Sequence, residues 1–172
     1  MLFNKFVPDH YYERVFDIDL QQLVDEGIKG IITDLDNTLV PWDERSATEE
    51  VLEWFKKVEA HGLDLVIISN NNEERVQYFC EPLTIPYFSF AKKPLKRTFN
   101  RGAKKMNLKK SEVAVVGDQL LTDIFGGNRA GYKTILVAPI VESDAKITQF
   151  NRRIERFVLN RLRKQGKVSW ED

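Results

Sequence analysis

Two aspartates one residue apart close an apolar run in Gly30-Ile31-Ile32-Thr33-Asp34-Leu35-Asp36-Asn37-Thr38-Leu39-Val40. On a continuing strand, residues i and i+2 share a face, so Asp34 and Asp36 would converge. A turn is the better reading, because the end of an apolar strand is where an open α/β sheet presents its chemistry. Two neighbouring carboxylates repel, so they require a cation, a proton or a division of roles. Three more signals follow in order: Ser69-Asn70, then Lys93-Pro94 with Lys92 beside it, then Gly117-Asp118 with Asp123. Singly, each has an ordinary explanation. The aspartate pair and the Gly-Asp step make turns, Ser-Asn caps a helix, and a lysine is solvated surface. Their joint occurrence at the ends of successive apolar runs is what gives them weight.

Those runs read as five short strands rich in β-branched residues, at 28–34, 63–69, 85–91, 112–118 and 132–138, bounded by Gly, Pro, Asn or Asp. Helical patterns lie between them. Ser46-Ala47-Thr48-Glu49 is a capping-box signature opening a helix with Val51, Leu52, Phe55 and Val58 on one face, closed near Gly62. Asn71-Asn72-Glu73-Glu74 starts a second helix running to about Cys80. Pro94 suits the first turn of a third, and a fourth runs from about Thr122 to Ala130 with Gly131 as its stop. Alternation of this kind predicts a three-layer, doubly wound α/β fold, Rossmann-like, with a mostly parallel five-stranded sheet. Right-handed crossovers bring every strand C-terminus to one edge, so Asp34, Ser69 and Asp118 should meet there.

The chain has 172 residues, 42% of them hydrophobic, enough for one domain with a real core. We divide it into a lead-in (1–27), a core (28–140) and a basic amphipathic C-terminal helix (141–172). Net charge is zero, which argues against nucleic acid as the partner of the whole chain. The distribution is uneven: from Lys146 to Lys167 there are eight basic residues against one acid, Glu155. Cys80 is the one cysteine, read as a small core residue, and its solitude suits a reducing compartment. No apolar run approaches the ~20 residues that span a bilayer. Charges and Pro8 stand where a signal peptide would need an apolar stretch, so a cytoplasmic location is expected. His10 and His61 read as surface or capping residues, and Trp42, Trp54 and Trp170 as packing.

Asp34-x-Asp36-x-Thr38, Ser69-Asn70, Lys93-Pro94 and Gly117-Asp118-x-x-x-x-Asp123 together resemble the four motifs of the haloacid dehalogenase (HAD) superfamily of phosphatases. The resemblance implies a HAD-like fold and the following roles. Asp34 is the nucleophile that forms an aspartyl-phosphate. Asp36 is the general acid that protonates the leaving alkoxide, then the base that activates water. Mg²⁺ is held by an Asp34 oxygen, the Asp36 main-chain carbonyl and an Asp118 oxygen. Ser69, Asn70 and Thr38 stand on the phosphate side, Thr38 chiefly supporting its loop. Lys93 rather than Lys92 neutralises charge on the nucleophile and the transferring group. Asp123 orients the metal waters or Lys93 from behind.

Superfamily members usually carry a cap domain, but the gaps between Thr38, Ser69 and Lys93 hold only a helix or a helix and a strand. The resemblance is therefore to capless phosphatases with an open site, suited to a large or surface-borne substrate; a second copy of the chain is the other source of a lid. Phe6-Val7-Pro8-Asp9, Gly27-Ile28-Lys29-Gly30, Ser69-Asn70-Asn71 and the run from Gly117 to Asn128 extend it to the branch containing the bacterial and mitochondrial phosphatidylglycerophosphate phosphatases. That implies an anionic phospholipid substrate. In the C-terminal segment Ile147, Phe150, Ile154, Phe157, Val158 and Leu162 recur at helical spacing among arginines and lysines. Such a helix either rests on an anionic membrane, at its inner face, or packs its stripe on the sheet with its arginines merely solvated. Two rivals remain open: a HAD phosphatase of a soluble sugar phosphate, nucleotide or phosphoprotein, and a non-catalytic binding or regulatory module on the same scaffold.

Overall fold

Apolar residues run without alternation through the central strands because helices cover both faces of the sheet. The computed structural model describes residues 2–141 and 146–170. Its strands are β1 (His10–Tyr12), β2 (Gly30–Thr33), β3 (Asp64–Ile68), β4 (Tyr87–Phe88), β5 (Val113–Gly117) and β6 (Lys133–Val137). Its α-helices are α1 (Leu20–Asp25), α2 (Glu49–Ala60), α3 (Glu73–Cys80), α4 (Lys96–Lys105), α5 (Phe125–Ala130) and α6 (Lys146–Lys164). The strands form one parallel sheet in the order β1-β6-β5-β2-β3-β4. After β2 the chain builds outward through β3 and β4, then returns to lay β5 on the other side of β2. The order reverses between β2 and β5, and the crevice beyond their carboxyl ends is where such sheets hold ligands.

One core lies under α1, α2 and α3 and includes Ile31, Trp54, Ile67, Phe79 and Val116. A second, with Ile32, Val66, Phe99 and Val115, lies under α4 and α5. Along each strand, alternate residues enter opposite cores, as the pleat requires. Cys80 is buried in the first core, and burial pushes its thiol up to about 12, which fits an inert packing residue.

Several sequence expectations need correction. The sheet has six strands among the described residues, not five, because the lead-in supplies β1. Its His10 lies opposite Ile135 and its Tyr12 opposite Val137. Three half-buried edge residues carry too little apolar pattern to announce a strand. Strand β4 shrinks to two residues. Pro86 has no N–H to offer the ladder, though its carbonyl accepts from Ile67, and Phe90 turns away at φ 45°. Thr48, not Ser46, caps α2, its hydroxyl accepting from the Val51 N–H. Pro94 precedes α4 instead of opening it, lying in a turn closed by the Leu95 N–H to the Lys92 carbonyl. The fourth expected helix is split into a wide π-type turn, Leu120–Ile124, and α5.

Helix α6 packs on the sheet. Val158, Leu159 and Leu162 join Phe6, Leu120, Ile124 and Leu136 in a third core. Phe150 and Phe157, expected in the apolar stripe, are 63% and 65% exposed. The inward face is set by Glu155, Val158, Leu159 and Leu162, and positions 150 and 157 fall to its flank. The side chain of Ile147, residues 142–145 and residues 171–172 lie outside the described residues.

Candidate active site

Strand β2 delivers Asp34 buried at its carboxyl end, the Asp34 N–H bonded to the Val116 carbonyl of β5. The chain then turns through Asn37 at φ 61°, a left-handed position that asparagine tolerates better than most residues. The turn is held by the Asn37 N–H to the Val40 carbonyl at 2.7 Å. Strand β5 ends in Gly117, then Asp118. A Cβ at Gly117 would collide with the Asp123 carboxyl, so this glycine is the vacancy that lets the turn after β5 fold Asp123 back onto the strand end.

Asp34, Asp118 and Asp123 are all buried, and one oxygen from each lies within 4.8 Å of the others. Lys93 joins them, its Nζ 2.6 Å from Asp123 Oδ1 and 3.1 Å from Asp34 Oδ1. Lys92 is exposed, at φ 59°. Burial works against the Lys93 charge, but Asp123 and Asp34 outweigh it and hold the ammonium above the ordinary lysine value. Burial, reinforced by Asp123, pushes Asp34 up to about 6 against the pull of Lys93. Burial pushes Asp118 up to about 8 even beside Arg152, with Asp34 and Asp123 adding to the rise.

The remaining expected residues divide. Ser69 is buried, and its Oγ accepts the Asn71 N–H at 3.1 Å, which leaves the hydroxyl proton to give. Asn70 spends its side chain on the Lys93 peptide: Oδ1 accepts the Lys93 N–H at 2.8 Å, and Nδ2 donates to the Lys93 carbonyl at 3.2 Å. Thr38 donates its hydroxyl to Asp118 Oδ1 at 3.2 Å, so it supports a carboxylate in this arrangement. The Asp36 side chain turns away from the carboxylate cluster to accept from Asn71 Nδ2 (2.9 Å), Arg75 Nε (3.1 Å) and Arg75 Nη2 (3.0 Å). Burial nonetheless raises Asp36 above the ordinary aspartate value, helped by the Asp34 charge.

Two arginines of this site escaped sequence reasoning. Arg75 sits one turn into α3, where its spacing from Asp36 in sequence gives no sign of contact. The sequence placed Arg152 among arginines that either face an anionic membrane or are merely solvated. Instead Nη2 lies 2.5 Å from Asp118 Oδ2, and Nη1 donates to the Asp118 carbonyl (3.0 Å) and to Glu155 Oε2 (3.1 Å). Glu155 is the sole acid in the basic stretch, and that exception was the available signal.

Three buried carboxylates face two cationic groups, Lys93 and Arg152, and Arg152 is shared with Glu155. An all-oxygen donor set short of positive charge fits a hard divalent cation.

Residues 90–164 match the HAD-hydrolase-like family. "Probable phosphatase YqeG" of Bacillus subtilis is 50% identical over the full length of both chains. This chain belongs to the HAD-like hydrolases, as one of their capless phosphatases. No domain interrupts the path from β2 to α2 or from α3 to β4, as the capless subdivision requires. Phosphatidylglycerophosphate phosphatase 1 of Arabidopsis thaliana is 26% identical over 87% of this chain, which spans 46% of that protein. Among solved structures, the cobalt-bound deoxy-D-mannose-octulosonate 8-phosphate phosphatase of Haemophilus influenzae shares the fold. Its TM-score is 0.53 at 16% identity, covering 82% of this chain and 91% of that one.

Proposed function

We propose that this HAD phosphatase is Mg²⁺-dependent, works through an aspartyl-phosphate on Asp34, and dephosphorylates phosphatidylglycerophosphate at a membrane surface. The observation that carries the mechanism is the buried cluster of Asp34, Asp118 and Asp123 around the Lys93 ammonium. Asp34, the Asp36 main chain and Asp118 would hold the cation. When bound, it offsets the anionic repulsion between a phosphate monoester and a carboxylate nucleophile.

The chain's own groups do the rest. Asp34 attacks phosphorus, forming an acyl-phosphate bond as the bond to the leaving alkoxide breaks. Asp36 gives that alkoxide its proton, a role favoured by the burial that raises its pKa and keeps the proton on the carboxyl. The Asp36 carboxylate then takes a proton from water, which attacks phosphorus, releases inorganic phosphate and regenerates Asp34. Lys93 keeps Asp34 ionised and offsets charge on the phosphoryl oxygens, one of which accepts the free hydroxyl proton of Ser69. Asn71 and Arg75 set the direction of Asp36.

The substrate reading rests on the relative in Arabidopsis and on an open site without a cap. The exposed flank of α6 supports the membrane reading: Phe150 and Phe157 stand among Arg153, Arg156, Arg161 and Lys164, all exposed. No helix among the described residues is long and apolar enough to cross a membrane.

The test is phosphate release from phosphatidylglycerophosphate in mixed micelles by the full chain, with and without a chelator, and by Asp34→Asn. The variant should keep its circular dichroism spectrum and lose at least about a thousandfold in rate. Equal turnover by the variant overturns the mechanism. Faster turnover of sugar phosphates, nucleotides or a phosphopeptide overturns the substrate.

A further inference from the structure

A cavity of about 810 Å³ opens between α6 and the ends of β5 and β6, and Asp118 is part of its wall. Its size suits an organic ligand, and through Asp118 it borders the carboxylate cluster. The wall is of two kinds. Arg152, Arg153 and Arg156 supply guanidinium groups, while Leu136, Leu159 and Trp170 supply apolar surface. Glu155 also lines it, but its carboxylate is taken up by Arg152 Nη1 and the Leu121 N–H. Arg153 and Arg156 differ from Arg152, since neither has an ion-pair or hydrogen-bond partner among the described residues.

Unpaired guanidinium groups beside apolar surface are matched by an anion attached to an apolar body. Guanidinium takes phosphate or carboxylate oxygens by paired N–H donors, and of the two a phosphodiester suits a site whose reacting group is itself a phosphate. The transferring monoester is provided for by Lys93 and Ser69, so the cavity's arginines face a different part of the substrate. We propose that this cavity is the leaving-group subsite. It binds a second anionic group, a phosphodiester, on Arg153 and Arg156, with the apolar remainder of the leaving alcohol against Leu136, Leu159 and Trp170. The proposal rests on the phosphatase reading and sharpens it: specificity is for an amphiphilic diester-bearing alcohol, selected by a charge the reaction does not touch.

The test uses the full chain and p-nitrophenyl phosphate, a monoester with no diester, as reporter substrate under conditions that support its hydrolysis. Two probes compete: monomeric dihexanoyl-phosphatidylglycerol, a lipid diester, and glycerophosphoglycerol, a soluble diester without chains. Both should inhibit competitively, the lipid more tightly. In the double variant Arg153→Glu/Arg156→Glu, the ratio of each inhibition constant to the reporter KM should rise at least about tenfold. Trp170→Ala should raise that ratio for the lipid diester alone, which separates the lipid from the soluble source. A ratio within about threefold of the original in the double variant overturns the proposal, as does failure of both diesters to compete. Loss of phosphatidylglycerophosphate hydrolysis with diester inhibition intact would sink only the named substrate. Its hydrolysis without sensitivity to Arg153 and Arg156 would sink only the subsite.

Discussion

Arg152 of α6 places Nη2 2.5 Å from Oδ2 of Asp118, whose Oδ1 accepts the Thr38 hydroxyl. In the proposed mechanism Asp118 also holds the cation, so the guanidinium would compete with it for this carboxylate. Arg152→Ala should bind Mg²⁺ more tightly, by about tenfold in calorimetric titration. In chelator it should be less stable by about 2 kcal/mol, because a buried carboxylate loses its charged partner. Weaker Mg²⁺ binding by the variant would mean that Arg152 holds Asp118 open for the ion rather than occupying its place.

The adjacent lysines offer a clean contrast. Lys93 is buried against Asp34 and Asp123, whereas Lys92 is exposed. Lys93→Ala should lower kcat by about a hundredfold or more and lower the melting temperature, since two buried carboxylates lose their counter-charge. Lys92→Ala should leave both within about twofold and a few degrees. Steady-state kinetics and thermal melts on the pair decide the assignment, and equal losses would remove Lys93 from its special place.

The carboxylate cluster makes the cation-free protein sensitive to pH in an unusual direction. Asp34 is raised to about 6 and Asp118 to about 8, chiefly by burial. Across about pH 4 to 8 the folded chain therefore binds more protons than the unfolded one, and stability falls as pH rises. The lowered values of Glu26 and Glu112 act below this window. In chelator, the melting temperature should be lower at about pH 8 than at about pH 5.5, and Mg²⁺ should recover most of the difference at the higher pH. A melting temperature that rises with pH in chelator contradicts the cluster's electrostatics.

The outer flank of α6 can be separated from its inner face. Phe150→Ser/Phe157→Ser removes two exposed side chains without touching Val158, Leu159 or Leu162. This variant should keep its melting temperature and lose most of its co-sedimentation with anionic vesicles, and residual binding should fall with salt. Undiminished sedimentation would place any membrane contact elsewhere. Removal of the whole helix would be uninformative, because Arg152 and part of the third core leave with it.

Buried parallel strands were legible because they are short apolar runs with clear punctuation, and Asp34, Ser69 and Asp118 fell at their ends. The convergence of Lys93 and Asp123 on Asp34 followed from the resemblance to the four motifs, and of the adjacent lysines only the pairing with Pro94 favoured Lys93. The chain separates them through the turn at Lys92 and the grip of Asn70 on the Lys93 peptide. Strand β1 stayed hidden because an edge strand of three residues need not alternate. Arg152 and Arg75 stayed hidden for another reason: a charged side chain recruited from a distant helix leaves no periodic trace. Phe150 and Phe157 misled because helical spacing identifies a stripe but not how wide a sector the core accepts.

Among the described residues, strand β1 pairs only with β6, whose residues lie more than a hundred positions later in the chain. On the ribosome, His10–Tyr12 is made long before Lys133–Val137, its sheet neighbour among the described residues. The nascent β1 segment thus waits while the middle of the sheet assembles, and that sheet edge closes only after β6 has been made.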